Sequence, residues 1–205
     1  IICLPTPLKK NSKIPDMTYI KGIANQLQNK IKPNQAIVLE STTYPGTTKE
    51  FFLPIIKKNK LTLGKNFYLI YSPEREDPGN KKFKIKNIPK VVSGLTDNCK
   101  KIGTLIYKKV AKKIVNEKSL EHAEMVKLYE NIYRSINIGL ANEMKIVCQK
   151  LDLDIFEIIR AASTKPFGFS PFYPGPGYGG HCIPIDPFYL TWKSKQYGYN
   201  PKFIE

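Results

Sequence analysis

The residue best placed for covalent chemistry is Cys182. It ends the run Pro174-Gly175-Pro176-Gly177-Tyr178-Gly179-Gly180-His181 and precedes Ile183-Pro184-Ile185-Asp186-Pro187, where Asp186 and Pro187 make a good N-cap and first-turn pair. The amides of a helix start favour a thiolate, the nucleophilic form of cysteine. The bland alternative is a buried structural thiol. His181 is a poor base for it, because adjacent side chains diverge in either regular geometry, and suits a structural or substrate-lining place. Asp186 either reaches the neighbourhood of Cys182 or caps the helix. Gly175, Gly177 and Gly180 match a dinucleotide fingerprint only formally, since no strand precedes them and no helix opens within them. Such glycines still let backbone amides approach a phosphate or a sugar closely.

Two further groups carry polar chemistry. Lys127, Asn131 and Arg134 recur at four and three residues, a polar stripe on one helix face. It is either a solvated face or, given the low helix propensity of asparagine, a functional one. Glu74, in Tyr71-Ser72-Pro73-Glu74-Arg75, follows the end of an apolar strand, and the polar segment Glu40 to Thr48, with Thr42, follows another. The carboxyl ends of strands are where open α/β sheets bind ligands.

The elements that must position these residues alternate. Strands are expected at Ile1 to Leu4, Ala36 to Leu39, Phe67 to Tyr71, Lys90 to Val92 and Lys113 to Val115. The intervening helices are capped at Asp16 and Asp97, and one holds Phe51, Phe52, Ile55 and Ile56 around an awkward Pro54. The alternation predicts an α/β fold with a partial Rossmann-like parallel sheet covered on both faces. From Ser119 to about Lys150 there is no proline and one glycine, which predicts a single long helix, followed by a shorter one from Asp154 through Ala162. A helix that long is expected to connect to a second, all-α domain or to pack on a partner subunit. The division is residues 1–116 and 117–205.

Composition narrows the class. The net charge is +16, yet arginine occurs only at Arg75, Arg134 and Arg160, and the lysines are scattered in pairs. Lysines offer point charges without the bidentate geometry of base readout. Cys3, Cys99, Cys148 and Cys182 lack metal-ligand spacing, so no metal site is expected, and the first three read as reduced core filler. No apolar run approaches the roughly 18 to 20 residues of a membrane span. A soluble, cytoplasmic protein without membrane association is expected. The chain opens inside a strand, which predicts a fragment.

Taken in order, Leu4-Pro5-Thr6-Pro7, Glu40 to Thr48, Ser72-Pro73-Glu74-Arg75, Leu120 to Asn131, Asn142-Glu143 and Gly175 to Leu190 resemble the nucleotide-sugar 6-dehydrogenases. Gly-Gly-His-Cys-Ile-Pro-x-Asp-Pro followed by Tyr189-Leu190-Thr191-Trp192-Lys193 is most similar to the branch acting on UDP-N-acetylglucosamine or its galacto epimer.

The resemblance implies NAD as cofactor and a two-step oxidation of the sugar C6 alcohol to a uronic acid through a Cys182 thiohemiacetal and thioester, in surface polysaccharide biosynthesis. UDP-glucose and UDP-N-acetylmannosamine are the alternative substrates. By the same resemblance Lys127 and Asn131 stabilise an oxyanion, Asp186 assists proton movement, and Glu74 and Thr42 handle water. Thr6, Thr42 and Glu74 lie toward the cofactor. Glu74, Lys127, Asn131, Arg134, Phe172, Tyr173, Gly175, Gly177, Gly179 and Gly180 lie toward the UDP-sugar. The central helix implies a homodimer. Because the family's glycine-rich phosphate loop precedes the matched segments, the isolated 205-residue chain is expected not to turn over. A non-catalytic basic binding or scaffold fragment is the competing class.

No sequence-specific nucleic-acid binding is predicted despite the charge. A gel shift that discriminates between sequences at physiological salt contradicts this.

Overall fold

The structure, a computed structural model, describes residues 1–77, 80, 83–177, 179, 180 and 183–204. A four-stranded sheet is ordered β1 (Gln35–Leu39), β2 (Phe67–Tyr71), β3 (Lys90–Gly94) and β4 (Ile114–Asn116). β1 and β2 pair in parallel from Gln35 opposite Phe67 to Leu39 opposite Tyr71, and β3 and β4 pair in parallel from Lys90 opposite Ile114. The expected α/β, Rossmann-like arrangement is present, with one correction to the parallel sheet. β2 and β3 are antiparallel, with Ile70 opposite Gly94 and Tyr71 opposite Ser93. Parallel neighbours need a crossover, usually a helix, and among its described residues the segment between these strands carries only a three-residue 3-10 turn, Ile85–Asn87. The chain therefore returns along the same edge, bringing Lys90 beside the carboxyl ends of β1 and β2. The expected first strand is reduced to one bridge, Ile2 to Leu39, beside β1.

Alternation of side chains along each strand sorts them to two faces. Ile37, Leu39, Phe67, Leu69 and Tyr71 pack with α1 (Thr18–Leu27) and α2 (Thr47–Lys58), whereas Val38, Ile70 and Val92 pack with Cys99 and Tyr107 of α3 (Asp97–Tyr107). Both faces are thus covered. Asp16 Oδ1 accepts from the Thr18 amide at the start of α1. The cap of α3 is Thr96, not Asp97: the Thr96 hydroxyl accepts from the Cys99 amide, and Asp97 pairs with Lys100 at 3.0 Å in the first turn. Both residue types cap well, and the extended backbone falls at Thr96. Cys99 and Cys148 are core thiols, while Cys3 is exposed at the sheet edge, a correction to its expected place.

The long helix is α4 (Leu120–Lys150), followed by α5 (Ile155–Ala162) and α6 (Asp186–Lys195). α4 joins the sheet layer through a buried carboxylate. Glu124 accepts from the Gly46 amide at 2.5 Å, the Thr48 amide at 2.8 Å and the Thr48 hydroxyl at 2.7 Å, all at the N-terminus of α2. Burial raises its pKa to about 7 against the pull of these donors. α6 packs on α4 through Tyr189, Leu128 and Ile132, and the Tyr189 hydroxyl donates to the Pro7 carbonyl. No helix among the described residues is long and apolar enough to cross a membrane.

Glu124→Ala strands two amides and a hydroxyl, so urea unfolding should show a loss of about 2–4 kcal/mol. Between the ordinary 4.5 and about 7 the folded protein binds more protons than the unfolded one. Stability supplied by this group is therefore full below that window and declines as pH rises through it. Glu124→Gln should flatten that slope, and an unchanged slope contradicts the assignment.

Candidate active site

Thr6, Thr42, Glu74 and Asp186 line one cleft of about 450 Å³, together with Cys3, Glu40, Ser41 and Ile185. Its floor is the carboxyl end of β1 and β2, where loops must leave the sheet. Ser41 ties the floor together, accepting from the Leu4 amide and donating to the Leu4 carbonyl. One wall is the start of α6, held near Pro7 by Tyr189. Asp186 is buried in the first turn of α6, whose N-cap position is Ile185, and its Oδ2 accepts from the Asn131 amide nitrogen at 2.5 Å. This hydrogen bond joins the stripe on α4 to the cleft, and it gives Asp186 a task other than capping.

An ionic cluster backs the cleft. The Lys90 ammonium lies 2.9 Å from Glu74 Oε2 and 3.5 Å from Glu40 Oε1. Glu40 also accepts from the Tyr107 hydroxyl and from the Cys3 thiol. Burial raises the Cys3 thiol's pKa, as does the neighbouring Glu40. Burial opposes ionisation of Glu74 too, but the Lys90 hydrogen bond and charge outweigh it and hold the carboxyl below its usual range. Arg75 turns the other way, making a forked pair with Glu130 of α4 and donating to the Pro89 carbonyl. The loop after β2 is thereby fastened to α4.

Other predicted residues stand apart from this cleft. Lys127 is half-buried on α4, outside the cleft lining and outside every ion pair of the described residues, and Arg134 is exposed. Phe172 meets Tyr133 edge-on at 5.9 Å, in an apolar groove of about 750 Å³ between α4 and α5. Tyr173 is exposed, and the Gly175 amide donates to Asn142 of α4. Gly179 and Gly180 adopt φ of 63° and 73°, a backbone that favours glycine, while a Cβ at either would meet nothing within 4 Å. The conformation, not crowding, is what requires glycine there. Gly177 is exposed. Cys182 and His181 lie outside the described residues.

Sequence reasoning passed over Lys90, Tyr107, Arg75 with Glu130, and Glu124. The sequence offered only a lysine heading the apolar pair Val91-Val92, and the structure buries all five positions of that strand. Charged residues are almost never fully buried unless paired.

Chemically, the cleft offers neutral hydroxyls from Thr6, Ser41 and Thr42, carboxylates from Glu40, Glu74 and Asp186 and, among the described residues, no arginine. That donor set suits a ribose and a carboxamide, and its negative charge suits a cationic ring. It does not suit a pyrophosphate.

The chain is 41% identical over 206 residues to Protein CapL of Staphylococcus aureus, covering 100% of this chain and 48% of that protein. It is 38% identical to a UDP-N-acetyl-D-glucosamine 6-dehydrogenase of Salmonella typhi, again over 100% of this chain and 48% of the relative. A UDP-D-ManNAc dehydrogenase structure from Pyrococcus horikoshii superposes with a TM-score of 0.90 at 30% identity, covering 100% of this chain and 47% of that one. The chain thus spans about half the length of the curated relatives it matches. Residues 1–111 match the NAD binding domain of the UDP-glucose/GDP-mannose dehydrogenase family and residues 121–205 match its central domain, so the chain belongs to that family.

Proposed function

We propose that this chain carries the catalytic cleft of an NAD-dependent nucleotide-sugar 6-dehydrogenase that oxidises the C6 alcohol of a UDP-N-acetylhexosamine to a uronic acid. The observation that carries the reading is the convergence of Thr6, Thr42, Glu74 and Asp186 on one cleft at the strand ends, with Asn131 bonded to Asp186. Residues 1–116 serve the cofactor, and residues 117–205 supply the central helices and the Cys182 loop.

NAD, when bound, accepts the hydride in each of the two oxidations. The hydroxyls of Thr6 and Thr42 and the negative floor would hold its nicotinamide riboside end. The Cys182 thiolate adds to the intermediate aldehyde to give a thiohemiacetal, and loss of a second hydride leaves a thioester. Water then attacks the carbonyl carbon, the C–S bond breaks, and sulfur leaves as thiolate. Lys127 and Asn131 stabilise the charge developing on oxygen. Asp186 orients the Asn131 amide and relays protons through water. Glu74 and Thr42 position and activate the attacking water. Arg134, Phe172, Tyr173 and the glycines 175, 177, 179 and 180 hold the sugar and diphosphate. The relatives' names divide between the gluco and manno epimers, so both UDP-sugars belong in the assay.

A homodimer completes the reading. Tyr129, Leu140, Met144 and Val147 of α4 and Phe156 and Ile158 of α5 are exposed together with Leu151 and Leu153, an apolar surface suited to a second copy.

In the native gene product, Cys182→Ala should lower uronic acid formation at least about 100-fold, while an initial hydride transfer survives. Acid formation at a wild-type rate contradicts the covalent role. Sedimentation equilibrium should give a dimer that Leu140→Glu weakens; a stable wild-type monomer contradicts the interface.

A further inference from the structure

We infer that Lys90 is a positioning residue for the water-activating carboxylate: braced by Glu40, it holds Glu74 ionised and directed into the cleft. The inference rests on the role of Glu74 proposed above.

Three observations carry it. First, Lys90 is a cation with a side chain only 10% exposed, clamped between two carboxylates. Glu40 is itself fixed by the Tyr107 hydroxyl, and the Lys90 ammonium sits 5.1 Å from the Tyr107 ring, so the cation has a defined seat. Secondly, the donors around Glu74 leave room for water. Its Oε1 accepts the Arg75 and Glu76 amides at 2.7 and 2.8 Å, and its Oε2 accepts Lys90 at 2.9 Å. A carboxylate offers about four lone-pair sites, so three are taken and one is open for water. The side chain is 49% exposed and lines the cleft.

Thirdly, no other described cation pairs with Glu74. Arg75 is turned to Glu130, Glu76 adjoins it, and Glu40 and Asp186 line the same cleft as further carboxylates, with the Cys3 thiol beside Glu40. Without Lys90, three carboxylates share one cleft, and mutual repulsion favours protonation of the most adaptable.

In the hydrolytic step, water gives its proton to Glu74 as its oxygen bonds to the thioester carbon. The C–S bond then breaks with its electron pair on sulfur, yielding carboxylic acid, thiolate and protonated Glu74, which returns the proton to solvent. Lys90 keeps Glu74 able to accept that proton as pH falls.

The test uses the native gene product with NAD and UDP-N-acetylglucosamine or its manno epimer. Mass spectrometry of quenched single turnovers follows decay of the thioester on Cys182 across pH. In Lys90→Met the acid limb of the decay rate should move up by at least about one pH unit, with KM within about threefold of wild type, since the sugar is held elsewhere. Lys90→Arg should restore the limb. In a Glu74→Gln background, Lys90→Met should slow decay by less than about twofold further, because the two act as one unit. If Lys90→Met does not purify folded, Lys90→Met with Glu40→Gln removes one charge of each sign and carries the same expectation for the limb. An unmoved acid limb, or independent multiplication of the two losses, overturns the inference. If Glu74→Gln alone leaves decay and its pH profile unchanged, the role of Glu74 fails and the inference fails with it.

Discussion

The buried carboxylate of Glu124 is the constraint on which the other arrangements depend. Three donors at the start of α2 converge on it from loop and helix, and it projects from the first turns of α4. It therefore fixes where a helix of 31 residues crosses the sheet layer. Once that crossing is set, the next turns present Leu128 and Ile132 to Tyr44 and Tyr189, and Asn131 to Asp186. α6 is then pinned against Pro7, which brings Asp186 to the end of β1. A rotation of α4 about its axis would exchange these contacts for exposed ones, so a single desolvated group sets the geometry of a site several residues away.

The cleft itself is an exercise in balanced charge. Carboxylates from the residue after β1, the loop after β2 and α6 meet there, and one buried lysine offsets two of them. The reversal of β3 makes this possible, because a strand antiparallel to β2 begins at the edge where β1 and β2 end. A fully parallel sheet would place Lys90 at the opposite edge. The surplus of positive charge elsewhere in the chain does not help, since exposed lysines are screened over about 8 Å at physiological salt.

Much of the architecture was legible in sequence for identifiable reasons. The absence of proline between Ser119 and Lys150 admits one uninterrupted helix, and the alternation at Ile37, Val38 and Leu39 suits a strand buried on both sides. The reversal of β3 was not legible, because the segment from Ser72 to Pro89 has the length of a crossover, and only three dimensions show that its described residues form no more than a 3-10 turn. Glu124 was hidden because a glutamate on a helix ordinarily faces water. Lys90 was hidden among 33 lysines and arginines, most of which, among the described residues, are exposed. Of the candidate site, the strand-end residues Thr6, Thr42 and Glu74 could be grouped from topology alone, and Asp186 through its place at a helix start. Phe172, by contrast, joins an apolar groove with Tyr133, since an aromatic in a proline-glycine loop carries no directional signal in sequence.

As proposed, one cleft performs both oxidations without releasing the aldehyde. The most direct measurement is the ratio of reduced cofactor to uronic acid formed by the native gene product from UDP-N-acetylglucosamine or its manno epimer, with semicarbazide present to trap free aldehyde. Retention on a thiol predicts two equivalents of NADH for each acid and no trapped semicarbazone. One equivalent of NADH accompanied by semicarbazone would contradict the account.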